Sequence, residues 1–180
     1  MPHSVLPIAY PLDDFYAQVG RALPPIEAIE GDAVPEPYKS LLVHQDDMTP
    51  TLEKFHGECI HLAVLSRQQR DDFYFREVVL LLDKTDKPVE FGAIKINLAL
   101  FPPAARKEIL DERRPLGTLL AAYTITHTSR PKAFLRIFSD DFINASLKLE
   151  QPQWLFGRRN TLLDPQQRPL AEIVEILPPA

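Results

Sequence analysis

Cysteine occurs once in this chain, at Cys59, so no internal disulfide can form and no thiolate set can hold a metal. Glycine is scarce as well, six residues against eighteen prolines, and most of the prolines sit where elements begin or end. No apolar run approaches the roughly 20 residues that a membrane-spanning helix needs. The opening Met1-Pro2-His3-Ser4 has no charged stretch leading into an apolar core, so no secretory leader is expected and the cytoplasm is the default compartment. A positive surplus is also missing. The net charge of −5 argues against a general nucleic-acid binder, though not against a small anion, which responds to local charge. What remains is a chain of 180 residues, 45% hydrophobic and 25% charged, enough for one ordinary globular domain with a real core.

Taken in order, residues 1–37 read as a Pro-rich arm carrying a short helix over Leu12 to Leu23, with a wrapping linker from 24 to 37. Residues 38–180 read as the domain proper. Thr49 is a plausible N-cap with Pro50 at the first helical position, so a brief helix is expected there. Cys59 to Leu65 reads as a strand, followed by a charged connection over Arg67–Asp72. Val89 to Leu98 pairs back across a hairpin loop, with Gly92 marking a bulge or a close backbone approach. Proline-started helices follow at Ala104 to Arg113 and from Pro115 onward. Strands are expected at Phe134–Phe138, Phe156–Leu163 and Leu170–Leu177, whereas 139–153 is hard to assign. Sequential hairpins with inserted helices predict an α+β fold with an antiparallel sheet of five or six strands.

Phe73 to Asp83 is the strand on which the function turns. Alternation puts Tyr74, Arg76, Val78, Leu80 and Leu82 on one face, and Phe73, Phe75, Glu77, Val79 and Leu81 on the other. Both faces are mostly apolar, which suits a covered central strand. A guanidinium there must meet an anion, because an unpaired buried charge costs several kcal/mol or more. Either a neighbouring strand supplies a carboxylate, or Arg76 holds a bound acid in its planar fork.

Four separated pieces carry a family resemblance: Asp46-Asp47-Met48-Thr49 with Leu52-Glu53; Phe75-Arg76-Glu77-Val78-Val79-Leu80; Arg114-Pro115-Leu116-Gly117; and Trp154, Gly157-Arg158-Arg159, Arg168-Pro169-Leu170 and Glu175. Together they resemble chorismate pyruvate-lyase and its wider family of chorismate-lyase-like proteins, from Leu41 to Pro178. The resemblance implies a six-stranded antiparallel sheet and a ligand site closed over by two helical flaps. It implies cleavage of chorismate to 4-hydroxybenzoate and pyruvate, without metal or organic cofactor, in a pathway such as ubiquinone biosynthesis. By motif, Arg76 would bind the ring carboxylate with backbone N–H groups at Met48 and Leu116, and Glu175 would meet the hydroxyl end of the ring. Arg76 and Glu175 are the expected catalytic residues, Glu175 as an acid or base whose pKa apolar neighbours raise. Donors at helix N-termini favour anions, which fits the places of Met48 and Leu116.

Glu175 shares a strand face with Ala171, Ile173 and Leu177, and Glu172 lies on the opposite face. Counting back from the final Leu-Pro-Pro selects Glu175, while counting forward from Pro169 falls on Val174, so a bulge or single insertion is needed. Two departures from the family pattern bear on activity and substrate: Ala93 follows Gly92 where a basic residue is usual, and Asn160-Thr161 interrupts the basic run after Arg159. Arg158 and Arg159 are open to binding a second substrate carboxylate, to a salt bridge or to a solvated strand end. His44, His56, His61 and His127 form no ligand set, and ordinary hydrogen-bonding roles are expected for them. The leading expectation is a cofactor-independent carbon–oxygen lyase giving 4-hydroxybenzoate or an isomer. Its rival is a non-catalytic binder of a small aromatic acid or sugar-phosphate acid on a fold similar to the effector domain of GntR-type regulators, against which stands the lack of a helix-turn-helix segment before residue 40.

Overall fold

The computed structural model describes residues 6–180, so the expectation drawn from Met1 to Ser4 concerns residues outside that range. The strands β1 (Ile26–Ile29), β2 (Ile60–Arg70), β3 (Phe73–Leu82), β4 (Pro88–Asn97), β5 (Thr128–Phe138), β6 (Trp154–Leu163) and β7 (Pro169–Leu177) form one antiparallel sheet in the order β1-β5-β6-β7-β4-β3-β2. The α+β architecture is the one the sequence predicts, with one strand more. That strand, β1, lies inside the segment read as a linker. It pairs Ile26–Ile29 with Phe134–Ile137 at the sheet edge. Four residues with two half-buried isoleucines carry too little alternation to be told from an extended linker.

Other boundaries move for local reasons. β2 continues through Arg67–Arg70 because cross-strand pairing with Phe73–Arg76 holds those polar residues at the open edge of the sheet. The helix expected to begin after Thr49 begins at Met48, with Asp47 in the N-cap position. The unassigned stretch contains α6 (Asp141–Leu147), whose N-cap Asp140 accepts a bond from the Ile143 N–H at 2.9 Å. β3 is the penultimate strand rather than the central one, yet helices cover both of its faces.

The two faces have different covers. On one lie α1 (Leu12–Gln18) and α6, burying Leu12, Phe15, Ile143 and Leu147 against Phe75, Val79, Phe91 and Val174. A seven-residue helix such as α1 is not stable alone. Docking supplies what it lacks, since burying a leucine or phenylalanine contributes about 1.5–3 kcal/mol each. On the other face lie α2 (Tyr38–Leu42) and α3 (Met48–His56) toward one end, and α4 (Pro103–Asp111) and α5 (Leu116–Ala122) toward the other. Their two apolar clusters do not merge. Between them, under the first turns of α3 and α5, the sheet face is left as the floor of a cavity. No described helix is long and apolar enough to cross a membrane.

Candidate functional site

The roof of the cavity is made by two helix starts in contact. An added Cβ at Gly117 would stand 3.0 Å from Thr49 Oγ1, so the missing side chain is what lets α5 approach α3. Neither start is capped by a side chain. At the α3 start, the Asp47 carboxylate instead accepts from His127 Nε2 at 2.8 and 3.0 Å, and His127 Nδ1 donates to the Ile125 carbonyl at 2.7 Å. Both ring nitrogens therefore face acceptors, which favours the imidazolium, and the Asp47 contact raises the His127 pKa above its ordinary value. This is an ordinary hydrogen-bonding role, as expected for the histidines. It leaves the first-turn N–H groups at Met48 without a carboxylate from their own chain.

The floor is built from register. β3, β4, β7 and β6 align Arg76, Ile94, Ile173 and Asn160 in one row, and Val78, Gly92, Glu175 and Arg158 in the next. Glu90 lies one row further on, opposite Leu80. Gly92, in the middle, offers no side chain. A Cβ there would come within 3.2 Å of the Val174 carbonyl and 3.3 Å of Glu90 Oε1. The close backbone approach expected at Gly92 is present, and its consequence is an open hollow of about 60 Å³ lined by Arg76, Glu90, Asn160, Glu175, Met48 and Leu116 among others.

Arg76 is 2% exposed. Its Nη1 donates to the Ile109 carbonyl at 3.2 Å, and its Nε is buried without a partner. Of the two sequence-level readings, the neighbouring carboxylate is absent: among the described residues no acid lies within ion-pair distance of this guanidinium. Tyr74, whose ring centroid lies 5.9 Å from the guanidinium carbon, and then Glu112 are near enough to favour its charge. That carboxylate is already engaged by the Tyr74 hydroxyl and by Arg67 at 2.8 Å. Burial accordingly holds the Arg76 pKa below its ordinary value, without removing the charge that a guanidinium keeps at neutral pH.

Arg158 is buried too, and the contrast is complete. Its Nε donates to Glu175 Oε2 at 2.5 Å, Nη1 to the carbonyls of Leu42 and His44 at 3.3 and 3.1 Å, and Nη2 to the Asp46 carbonyl at 3.0 Å. It is a salt bridge and a clasp for the segment that leads into α3, with each of its three nitrogens already donating to its own chain. Arg159 is likewise paired, with Glu172 at 3.2 Å, and Thr161 donates to the same oxygen at 2.7 Å. Of the two glutamates weighed on β7, Glu175 lines the cavity and Glu172 does not.

Two groups on the cavity wall were missed by sequence reasoning. Glu90 is buried with its Oε2 unpartnered. Burial first, and then the nearby Glu175 carboxylate, push its pKa well above the ordinary range, with Arg158 acting the other way. Asn160 is 1% exposed and gives its amide N–H to Ser129 Oγ at 2.8 Å, while its Oδ1 has no partner. A signal for Glu90 existed: it is a lone acid in an apolar strand, the same anomaly that singled out Arg76. No group of three or more His, Cys, Asp or Glu among the described residues is arranged to hold a metal.

No protein-family model matches the sequence, and no curated protein matches it. Solved structures do. The chain is similar to PhnF from Mycobacterium smegmatis, with a TM-score of 0.57 and 14% identity over 76% of this chain and 65% of that one. It is similar to the ligand-binding domain of a putative GntR-family transcriptional regulator from Bordetella bronchiseptica, with a TM-score of 0.51 and 10% identity over 66% and 85% of the two chains. It is similar to the possible transcriptional regulator YydK from Bacillus subtilis, with a TM-score of 0.55 and 10% identity over 95% and 92%. The chain thus spans about two thirds of the length of PhnF. At these identities the likeness is one of fold, the chorismate-lyase-like fold that the effector domains of GntR-family regulators share.

This corrects the leading expectation. The similar structures named for a function are transcriptional regulators or their ligand-binding and effector domains, so the assignment as a lyase of chorismate, and with it a place in ubiquinone biosynthesis, is withdrawn. Glu175, expected to exchange a proton among apolar neighbours, is instead ion-paired to Arg158 at 2.5 Å. The residues that carried the resemblance are in place, but they serve a binding fold as readily as an enzyme.

Proposed function

We propose that the chain is a non-catalytic binder of a small organic acid, held in the cavity between α3, α5 and the sheet. Arg76 carries the reading: a buried guanidinium in the cavity lining, with no acid at ion-pair distance among the described residues and with its Nε unpartnered. Leaving such a charge unmatched costs several kcal/mol, and a carboxylate or similar anion supplied from outside would meet it in charge-assisted bonds. The N–H groups at Met48 and Leu116 lie over the same hollow and would complete the anion's shell, while Glu175 stays with Arg158 on the floor.

The walls select the rest of the ligand. Val78, Leu80, Ile94, Leu120, Leu162 and Ile173 are apolar, which suits an aromatic or similarly flat acid. At about 60 Å³ the closed hollow holds a handful of waters, each needing roughly 10–15 Å³. A ring acid must therefore push α3 and α5 apart on entering. Binding and helix position are coupled by size alone, which is what a sensing domain requires and what the likeness to regulator effector domains suggests.

The test is calorimetric titration of the intact chain with benzoate, beside thermal unfolding at rising benzoate. The expected result is saturable binding with a rise in melting temperature, weakened about 10- to 100-fold in Arg76→Leu, the range for a lost charge-assisted hydrogen bond. Equal benzoate affinity in wild type and Arg76→Leu would remove the proposal.

A further inference from the structure

We propose that Glu90 is the specificity-determining residue of this cavity, recognising a hydrogen-bond-donating group, a hydroxyl or an amine, at the end of the ligand opposite the acid held by Arg76. The inference rests on the anion-binding reading above and adds the chemistry of the ligand's other end.

Glu90 has no structural reason to be a glutamate. Its neighbours on the same sheet face are Leu80 across the strand pair and Gly92 along the strand, and the cluster beside it is aliphatic. A leucine would fill similar volume without a polar atom. Buried polar atoms in folded proteins are nearly always partnered, and an orphan costs about 1–3 kcal/mol. The nearby cation is turned elsewhere: every nitrogen of Arg158 donates to Glu175 or to the carbonyls of Leu42, His44 and Asp46, and no bond joins it to Glu90. Among the described residues nothing partners Oε2, and the cavity that Glu90 lines is the route by which a partner from outside would reach it.

Position and charge say what that partner is. Arg76 faces Ile94, and Glu90 lies four residues from Ile94 along β4, which is about 13 Å at roughly 3.3 Å per residue. A flat ring with one substituent at each end matches that span. A second anion at the Glu90 end would face the Glu175 carboxylate as well as Glu90 itself, so that end rejects acids and accepts donors. The elevated pKa of Glu90 fits both kinds of donor. As a neutral acid its carbonyl oxygen takes a hydroxyl proton, and an incoming ammonium would let it ionise.

Four probes share one ring and one carboxylate: benzoate, 4-hydroxybenzoate, 4-(aminomethyl)benzoate and terephthalate. Dissociation constants are measured by calorimetry on the intact wild type, Glu90→Leu, Glu90→Gln and Arg76→Leu. The expected pattern has the hydroxyl and ammonium probes about 10-fold tighter than benzoate on wild type, the worth of one buried hydrogen bond, with terephthalate weaker than benzoate. Glu90→Leu should erase that ranking and leave benzoate within about threefold, and it should melt higher than wild type without ligand because an orphaned polar group is gone. Glu90→Gln tells the two sources apart: a hydroxyl preference survives a neutral amide, and an ammonium preference does not. The inference is overturned if wild type ranks the donor probes no better than benzoate, or if Glu90→Leu keeps the wild-type ranking. Unchanged benzoate affinity in Arg76→Leu strikes the anion reading instead, and failure of every probe on wild type strikes both.

Discussion

Two arginines on one sheet face, both almost wholly removed from water, differ in a single respect. Arg158 donates from every nitrogen of its guanidinium to its own chain, whereas Arg76 has one carbonyl and the nearby Tyr74, and its Nε has no partner. A guanidinium presents five N–H donors in a fixed fork. When the chain satisfies them the residue is a structural bolt, here fastening the 42–46 segment and Glu175 to the sheet. When the chain leaves them open, burial has been tolerated for something that is not part of the chain. Burial alone does not separate these cases, and neither does sequence, since both residues are arginines in apolar strands. The partner inventory separates them.

The sharpest way to break that contrast is to remove the bolt. Arg158→Leu leaves Glu175 and Glu90 as two acids in one dry site, and it takes the arginine donors from the carbonyls of Leu42, His44 and Asp46, of which Leu42 keeps the His44 N–H. Losing one partner of a buried pair costs about 3–5 kcal/mol. At roughly 2–4 °C per kcal/mol for a chain of this size, melting should fall by about 6–20 °C. A loss below about 1 kcal/mol in denaturant unfolding would show that Arg158 is not the bolt described. Arg76→Leu should go the other way. Exchanging an unpaired buried charge for an apolar group of like volume is neutral or stabilising by about 1–4 kcal/mol. Urea midpoints of the two variants should therefore lie on opposite sides of wild type, and a large loss in Arg76→Leu would mean that its hydrogen bond to Ile109 is structural after all.

The same contrast explains how far sequence could go. The alternation of Phe73–Leu82 assigns its two faces correctly, and α5, which follows Pro115 as expected, lies over the cavity. Fold and floor were legible because periodicity reports burial. Partner geometry was not. Whether Arg158 meets Glu175 depends on a cross-strand register between β6 and β7 that neither strand encodes alone. The uncertain count around Pro169 is of that kind: the register shift between Leu162 and Leu163 is what a count along the chain cannot see. Function was misread for a related reason. The motif residues line the cavity, but the pairing of Glu175 with Arg158 joins two strands and shows in neither alone.

The smallest expected effect lies at the roof, where partnering is set by pH. His127 joins Asp47, the residue before Met48, so its charge state bears on the start of α3. Its pKa is raised in the folded chain, so the proton is bound more tightly folded than unfolded. The stabilisation is then fully present below the ordinary histidine value near 6.5 and is lost as pH rises through the higher folded value. Glu90 adds a slope of the same sign, because a raised carboxyl pKa also makes stability fall as pH climbs above the unfolded value. The measurement must therefore be a difference, wild type minus His127→Gln, in unfolding free energy between pH about 5.5 and 8.5. Because the contact is partly solvent-exposed, that difference should reach no more than about 1 kcal/mol at the acid end and vanish at the alkaline end. A difference that grows with pH would mean that His127 is held neutral, with Asp47 accepting from an uncharged ring, and the α3 start would then lack the pH-sensitive tie described for it.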